Sequence, residues 1–293
     1  MRRSRPQNER VARQLREAAE ILRAQHANPF RIRAYRQAAD RIAGLDVDVA
    51  ELLARRGVSG LLELPGVGAG LAAAISEIVR TGRWSQLERL RGTLDPDRLF
   101  QAIPFIGPTL ARRIHETLQV DTLEGLEAAA REGRLAAVSG LGRRRKAMIR
   151  AELAALLGRR RADRAAEPSV EVLLDVDAEY RRRAAGRRLP RIAPRRFNAA
   201  GTAWLPVLHT ERDEWRFTAL FSNTEMAHQL DRTRDWVVVY FHEEGEPEGQ
   251  RTIVTETRGS LQGRRVVRGR EPECAAYYAA HAATSDRTAA KLG

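Results

Sequence analysis

The feature that most constrains this chain is a short turn that occurs three times. Leu64-Pro65-Gly66-Val67-Gly68-Ala69-Gly70 stands between a helical piece, Ser59 to Glu63, and a helical run, Leu71 to Thr81. Ile103-Pro104-Phe105-Ile106-Gly107-Pro108 precedes a helix from Thr109, and Val138-Ser139-Gly140-Leu141-Gly142 precedes one from Arg143. Gly68, Gly107 and Gly142 lie 39 and 35 residues apart, the mark of an internal repeat. A helix, glycine hairpin and helix leave successive backbone N–H groups unpaired at the start of the second helix, where the helix dipole also favours an anion. Glycine at 66 and 68 lets a phosphate approach the backbone where a Cβ would block it. One such turn reads equally well as a plain helix connection. Three copies in a basic segment point to phosphate contact.

The charge is distributed accordingly. Of the 51 basic residues only Lys146 and Lys291 are lysines, so the net charge of +13 is almost all guanidinium. Its planar fork matches phosphate oxygens and does not titrate near neutral pH, although a GC-rich genome also replaces Lys by Arg. Residues 1 to 167 hold 31 basic and 20 acidic side chains, whereas 168 to 293 hold 20 and 18. The electrostatic footprint for nucleic acid therefore lies in the N-terminal half. Arg112 and Arg113 follow the second turn, and Arg143, Arg144, Arg145 and Lys146 the third. These side chains read either as phosphate contacts or as a solvated helix face. Phosphate contacts carry no base information, so DNA form rather than base order is the expected preference.

The expected fold class is an all-α N-terminal half with tandem helix-hairpin-helix units, followed by a smaller α+β domain with a mostly antiparallel sheet. A basic arm (1–7) precedes a helical domain with the first hairpin (8–92) and one with the second and third (93–158). Asn8 is read as a helix cap, and Asn28-Pro29 as the cap and first turn of the next helix. A linker (159–168) leads to the α+β domain (169–283) and a tail (284–293). Beyond Pro168 the apolar period changes from 3.6 to 2. Strands are predicted at 170–174, 204–209, 215–221, 236–242, 252–257 and 264–268, and helices at 178–185, 224–230 and 272–282. Cys274 is the single cysteine, which excludes an internal disulfide. The chain shows no signal-like start and no long apolar run, so a bacterial cytoplasmic, nucleoid-associated protein with no membrane contact is expected.

Asn28-Pro29-Phe30-Arg31-Ile32-Arg33-Ala34-Tyr35-Arg36, the first hairpin and the two later ones together resemble the N-terminal portion of family X DNA polymerases over roughly residues 8 to 158. The resemblance implies gapped, nicked or 5′-phosphorylated DNA as ligand and a connection with DNA repair. It places Arg31 and Tyr35 in a 5′-phosphate pocket, although Tyr35 also lies on the inward stripe of its helix, and Arg33 and Arg36 are further DNA-binding candidates. It implies backbone contacts at Gly66, Val67, Gly68 and Gly70, at Ile106, Gly107 and Thr109, and at Gly140 and Gly142. It also implies a sodium or potassium ion held by carbonyls of Leu62, Leu64 and Val67, and another by those of Gln101, Ile103 and Ile106.

The chain departs from the family in two places. Ala74 stands where some members carry the Schiff-base lysine, and residues 1–145 hold no lysine, so lyase chemistry is not expected. Asp175-Val176-Asp177 has the spacing of the polymerase magnesium ligands, but no Gly-Ser turn precedes it. The plain alternative is a strand end followed by a helix cap.

In the second domain, eight arginines between 181 and 196 read as an extended DNA track or a solvated linker. His209, Glu211, His242, Glu243 and Glu256 lack a fixed metal-ligand spacing, and Ser222 lacks the elbow of a hydrolase nucleophile. The leading expectation is a non-enzymatic DNA-binding protein that needs no cofactor. Two alternatives stay open: a magnesium-dependent DNA-end-processing enzyme using Asp175 and Asp177, and a scaffold that takes a repair protein through 169–283.

Overall fold

The computed structural model describes residues 5–157, 167–244, 246 and 248–292, the side chains of 283–292 excepted. The linker region at 159–166, with Gly158, and Arg2 and Arg3 of the basic arm lie outside the described residues.

The N-terminal half is helical throughout, in two packed groups with separate cores. The first comprises α1 (Pro6–Ala24), α2 (Pro29–Gly44), α3 (Val49–Leu62), α4 (Ala69–Thr81) and α5 (Ser85–Arg91). The stripe expected on α1, Val11, Leu15, Ala18 and Leu22, is fully buried. Asn28 caps α2 as its sequence predicts, accepting from the Phe30 amide at 2.7 Å. Asn8 does not cap α1, which begins at Pro6. Its buried amide instead bridges the entry to α3, donating to Val47 O (2.9 Å) and accepting from the Val49 amide (2.8 Å). A proline at the first helical position supplied the start signal that Asn8 was assigned. Helix α3 is kinked at Gly57, where φ is +61°. The second group comprises α6 (Pro96–Phe100), α7 (Pro108–Leu118), α8 (Leu123–Arg131) and α9 (Arg143–Leu157).

The second domain is α+β. Helix α10 (Val170–Ala185) precedes β1 (Arg191–Ile192), β2 (Leu205–Arg212), β3 (Trp215–Phe221), α11 (Glu225–Gln229), β4 (Val237–His242), β5 (Gly249–Thr255), β6 (Arg265–Val267) and α12 (Glu271–Leu292). The strands form one antiparallel meander in chain order. The structure differs from the sequence expectation at three places in this domain. Residues 170–174 are the first turns of α10: Ser169 caps the helix on the Val172 amide (3.2 Å), and Val170, Leu173, Val176, Asp177 and Tyr180 are buried at helical spacing. Val-Glu-Val-Leu-Leu satisfies both periods over five residues, and only the capping serine and the longer window separate them. The short strand β1 was missed. Residues 284–292, read as a tail, continue the last helix.

Helices α10 and α12 pack on the sheet, and the side of the sheet that carries Tyr240 faces the helical half. The Tyr240 hydroxyl donates to Asp121 Oδ2 (2.8 Å), and its ring lies 3.5 Å beneath the Arg89 guanidinium. Gln250 accepts from the Asp121 amide (2.9 Å), Thr252 donates to Gln119 O (3.1 Å), and Arg251 pairs with Glu132 (2.6 Å). Burial on both faces is why Val237-Val238-Val239-Tyr240-Phe241 is apolar without alternation.

Candidate nucleic-acid interface

The three turns share one backbone conformation. Gly66, Phe105 and Gly140 occupy the same slot with φ of +79°, +72° and +74°. Gly68 and Gly107 follow as the extended N-caps of α4 and α7. The amides of Val67 and Ile106 close the first two turns on Leu64 O (3.0 Å) and Ile103 O (3.2 Å). In the helices that follow, Ala72, Ala111 and Lys146 are the first to reach an intrahelical acceptor, on Gly68, Gly107 and Gly142 O. The amides ahead of them have no acceptor within the helix, and that is the anion-binding end.

The three hairpins differ in what faces them. At the second and third, Phe105, Gly107, Thr109, Gly140, Gly142 and Arg143 to Arg145 are exposed, while Ile106 is buried and anchors its turn. Arg113 ties these two hairpins together by donating to Ser139 O (2.6 Å), and its guanidinium lies where a Cβ on Gly140 would stand. Arg112 is two-thirds exposed, 3.8 Å from Asp97. The two open hairpins thus present one edge, backed by arginine.

The first hairpin is walled. It forms one side of a solvent-open cleft of about 1220 Å³ of empty space, with Phe30, Arg31 and Tyr35 on α2 and with Glu244, Glu246 and Glu248, from between β4 and β5, on the other side. Glu248 lies where the resemblance places a phosphate. Its carboxylate is 3.6 Å from Arg31 and 2.5 Å from the buried Arg89, and accepts from Gln86 (3.1 Å). Arg31 also donates to the Tyr35 hydroxyl (3.3 Å), which donates in turn to Gln86 (2.6 Å). Burial raises the Tyr35 pKa above its ordinary value, with Arg31 opposing. The Tyr35 ring packs edge-on against Trp84, as expected of an inward residue, and its hydroxyl links Arg31 to Gln86. Arg36 points away to Glu20 (2.7 Å), and Arg33 is exposed.

Sequence reading did not anticipate Glu244, Glu246, Glu248 or Arg89 as part of this cleft. The available signal was the local excess of carboxylates at 243–248 in a strongly basic chain.

Asp175 and Asp177 both lie inside α10 and part company. Asp175 pairs at the surface with Arg212 (2.7 Å). Asp177 is buried and held by the Arg265 fork (2.7 and 3.0 Å), with Arg181 at 3.3 Å. Burial raises its pKa, against the pull of Arg265. Neither the strand end nor the helix cap expected for these residues is present. Among the described residues, no group of three or more His, Cys, Asp or Glu is placed to hold a metal ion. His209 bridges Gln25 (2.8 Å) and Thr218 (3.1 Å), Glu211 pairs with Asn28 and approaches Arg216, and Glu256 pairs with Arg268 (2.7 Å). Ser222 is buried beside Thr224. No described helix is long and apolar enough to cross a membrane.

This chain therefore carries helix-hairpin-helix domains. A family described as "Helix-hairpin-helix domain" matches residues 6–84, and one described as "SAM-like Helix-hairpin-helix tandem" matches residues 97–155. The chain is also similar to "DNA polymerase/3'-5' exonuclease PolX" of Bacillus subtilis strain 168, 26% identical over 124 residues. That match covers 42% of this chain and 20% of the relative, so the chain spans about one fifth of the length of the protein it resembles. The two helix-hairpin-helix matches lie in the helical half, and these domains support DNA as the ligand.

Proposed function

We propose that this protein binds DNA through its phosphate backbone, without base specificity, and prefers nicked or 5′-phosphorylated gapped duplexes of the kind met in DNA repair. The observation that carries this reading is the shared edge of the second and third hairpins, where two helix starts offer unpaired amides to solvent with Arg112 and Arg143 to Lys146 around them. Amides and the helix dipole hold a phosphate at close range, and the arginines supply the longer-range attraction. The first hairpin adds a place for an anion at Arg31, Tyr35 and Gln86, now taken by Glu248. A 5′-phosphate has the charge and oxygen geometry to replace that carboxylate. The carbonyls of Leu62, Leu64 and Val67 and of Gln101, Ile103 and Ile106 are the neutral oxygens that would hold a monovalent cation shared with phosphate.

The test is anisotropy titration of the full chain on intact, nicked and 5′-phosphorylated gapped duplexes across a salt series. The gapped duplex is expected to bind tightest, with affinity falling steeply in salt. Replacing Arg143, Arg144 and Arg145 by alanine should weaken all three and lower the log–log salt slope by about one per phosphate contact removed. Binding that ignores salt, or a triple variant that matches the parent, rules the reading out.

A further inference from the structure

The second hairpin departs from its sisters at one residue. The slot filled by Gly66 and Gly140 is filled by Phe105, with the same left-handed backbone (φ +72°). Glycine enters that region freely, whereas a side chain with a Cβ does so at a cost. Burial does not offset the cost: Phe105 is 52% exposed and stands outside the hydrophobic cluster that takes Ile103 and Ile106 on either side of it. Phe197, the other phenylalanine with positive φ, behaves differently, stacking on His228 at 4.4 Å and lying beneath the Arg196 guanidinium. Phe105 is thus strained and exposed in the same hairpin whose next helix presents its free amides. Backbone strain maintained without compensation inside the fold is characteristic of functional positions.

We propose that Phe105 is a specificity-determining residue that stacks on the open face of a base at a break in the duplex. This rests on the reading that the hairpins bind DNA, and it supplies that reading with its preference for nicks and gaps. The backbone amides around Gly107 meet phosphate in any duplex and cannot tell an intact strand from an interrupted one. An aromatic ring beside them can, because only a discontinuity offers an unstacked base face, and aromatic stacking accepts any base. Apolar wedges used by other DNA-binding proteins act on the same principle.

The experiment compares the full-length protein with Phe105→Gly and Phe105→Trp on intact, nicked and gapped duplexes, alongside thermal unfolding. Phe105→Gly is expected to melt a few degrees higher, as strain is relieved. It is also expected to bind the gapped duplex on the order of tenfold more weakly while leaving the intact duplex nearly unchanged. Phe105→Trp should keep the preference. A gain in stability together with a loss of discrimination is not what a structural residue gives. A glycine variant that melts lower, that loses affinity equally on all three duplexes, or that keeps the preference overturns the proposal, as does a tryptophan variant that loses it. Replacing Arg143 to Arg145 in parallel separates the two ideas: if that variant loses affinity on every duplex while Phe105→Gly keeps the preference, backbone binding stands and base stacking falls.

Discussion

At the scale of single residues, Asp175 and Asp177 show how the same side chain two positions apart acquires different weight. Asp177 is buried and carries the charge of Arg265, which also holds Asp235 at 2.7 Å. Its removal takes both fork contacts from the buried Arg265 and leaves Asp235 as that guanidinium's remaining carboxylate, so Asp177→Ala is expected to cost about 3 kcal/mol in urea unfolding. Asp175 is 59% exposed and pairs with Arg212 at the surface, so Asp175→Ala should cost about 1 kcal/mol or less. Were the two residues magnesium ligands, both variants would lose metal binding together and the stability difference would be smaller. The Asp-Val-Asp spacing was legible in the sequence, but the role was not, because a helix sends positions i and i+2 toward different surroundings. The glycine slots were legible for the opposite reason: a hairpin that needs positive φ leaves its mark on residue identity. Phe105 alone concealed that requirement, and only backbone geometry shows that it meets it.

At the scale of elements, two histidines at the contact of helices and sheet set opposite pH limits. His115 on α7 is buried between Asp97 and Asp121, at 2.9 Å from each. Burial opposes its charge, but the hydrogen bonds and charges of Asp121 and Asp97 prevail and raise its pKa to about 9. A raised folded pKa gives stability that is full below the ordinary value of 6.5 and is lost as pH climbs through about 9. His209 on β2 has the reverse sign: burial, aided by Arg31 and Arg89, lowers its pKa to about 3, so its contribution is full above 6.5 and fades as pH falls. The melting temperature should therefore peak near pH 6.5 and decline on both sides, and His115→Gln should flatten the alkaline limb. Calorimetry from pH 5 to 10 measures this, and an alkaline limb equally steep in the variant would show that His115 is not the group responsible. Individual strands β2 to β6 could be read from their sequences, because the apolar residues that mark each lie within a few consecutive positions. These histidines could not, since one partner of each, Asp97 and Gln25, lies 18 and 184 residues away and only the assembled packing brings it close.

At the scale of the whole molecule, the two halves are joined by half-buried polar contacts rather than by one apolar seam. Arg251 with Glu132 and Gln250 with Gln119 and Asp121 fix β5 to the ends of α7 and α8, and Glu116 on α7 accepts from the Glu225 and Met226 amides of α11. Gly125 belongs to this joint: a Cβ there would meet Gln250 Oε1 at 2.9 Å, so Gly125→Ala should loosen the halves. Limited proteolysis between residues 157 and 170 is expected to run faster in that variant, and an unchanged rate would show that Gln250 can yield. The order of the helical and α+β halves was legible from the change of period, whereas their mutual orientation is written in single side chains scattered along both.

That orientation makes Glu248 a resident competitor for the arginine that a DNA phosphate would seek. Salt usually weakens protein–DNA contacts because it repopulates the counterions that binding releases. Here added salt also weakens the Arg31–Glu248 contact that binding must break, so the two effects oppose each other at this one position. Each phosphate that merely trades places with a carboxylate should register less than a full unit in the log–log slope. Removing the carboxylate charge by Glu248→Gln, with its hydrogen-bonding shape kept, should restore the full dependence and tighten binding most at low ionic strength. A fold that screens its own cleft in this way would hold its affinity more evenly across ionic conditions than its net charge suggests.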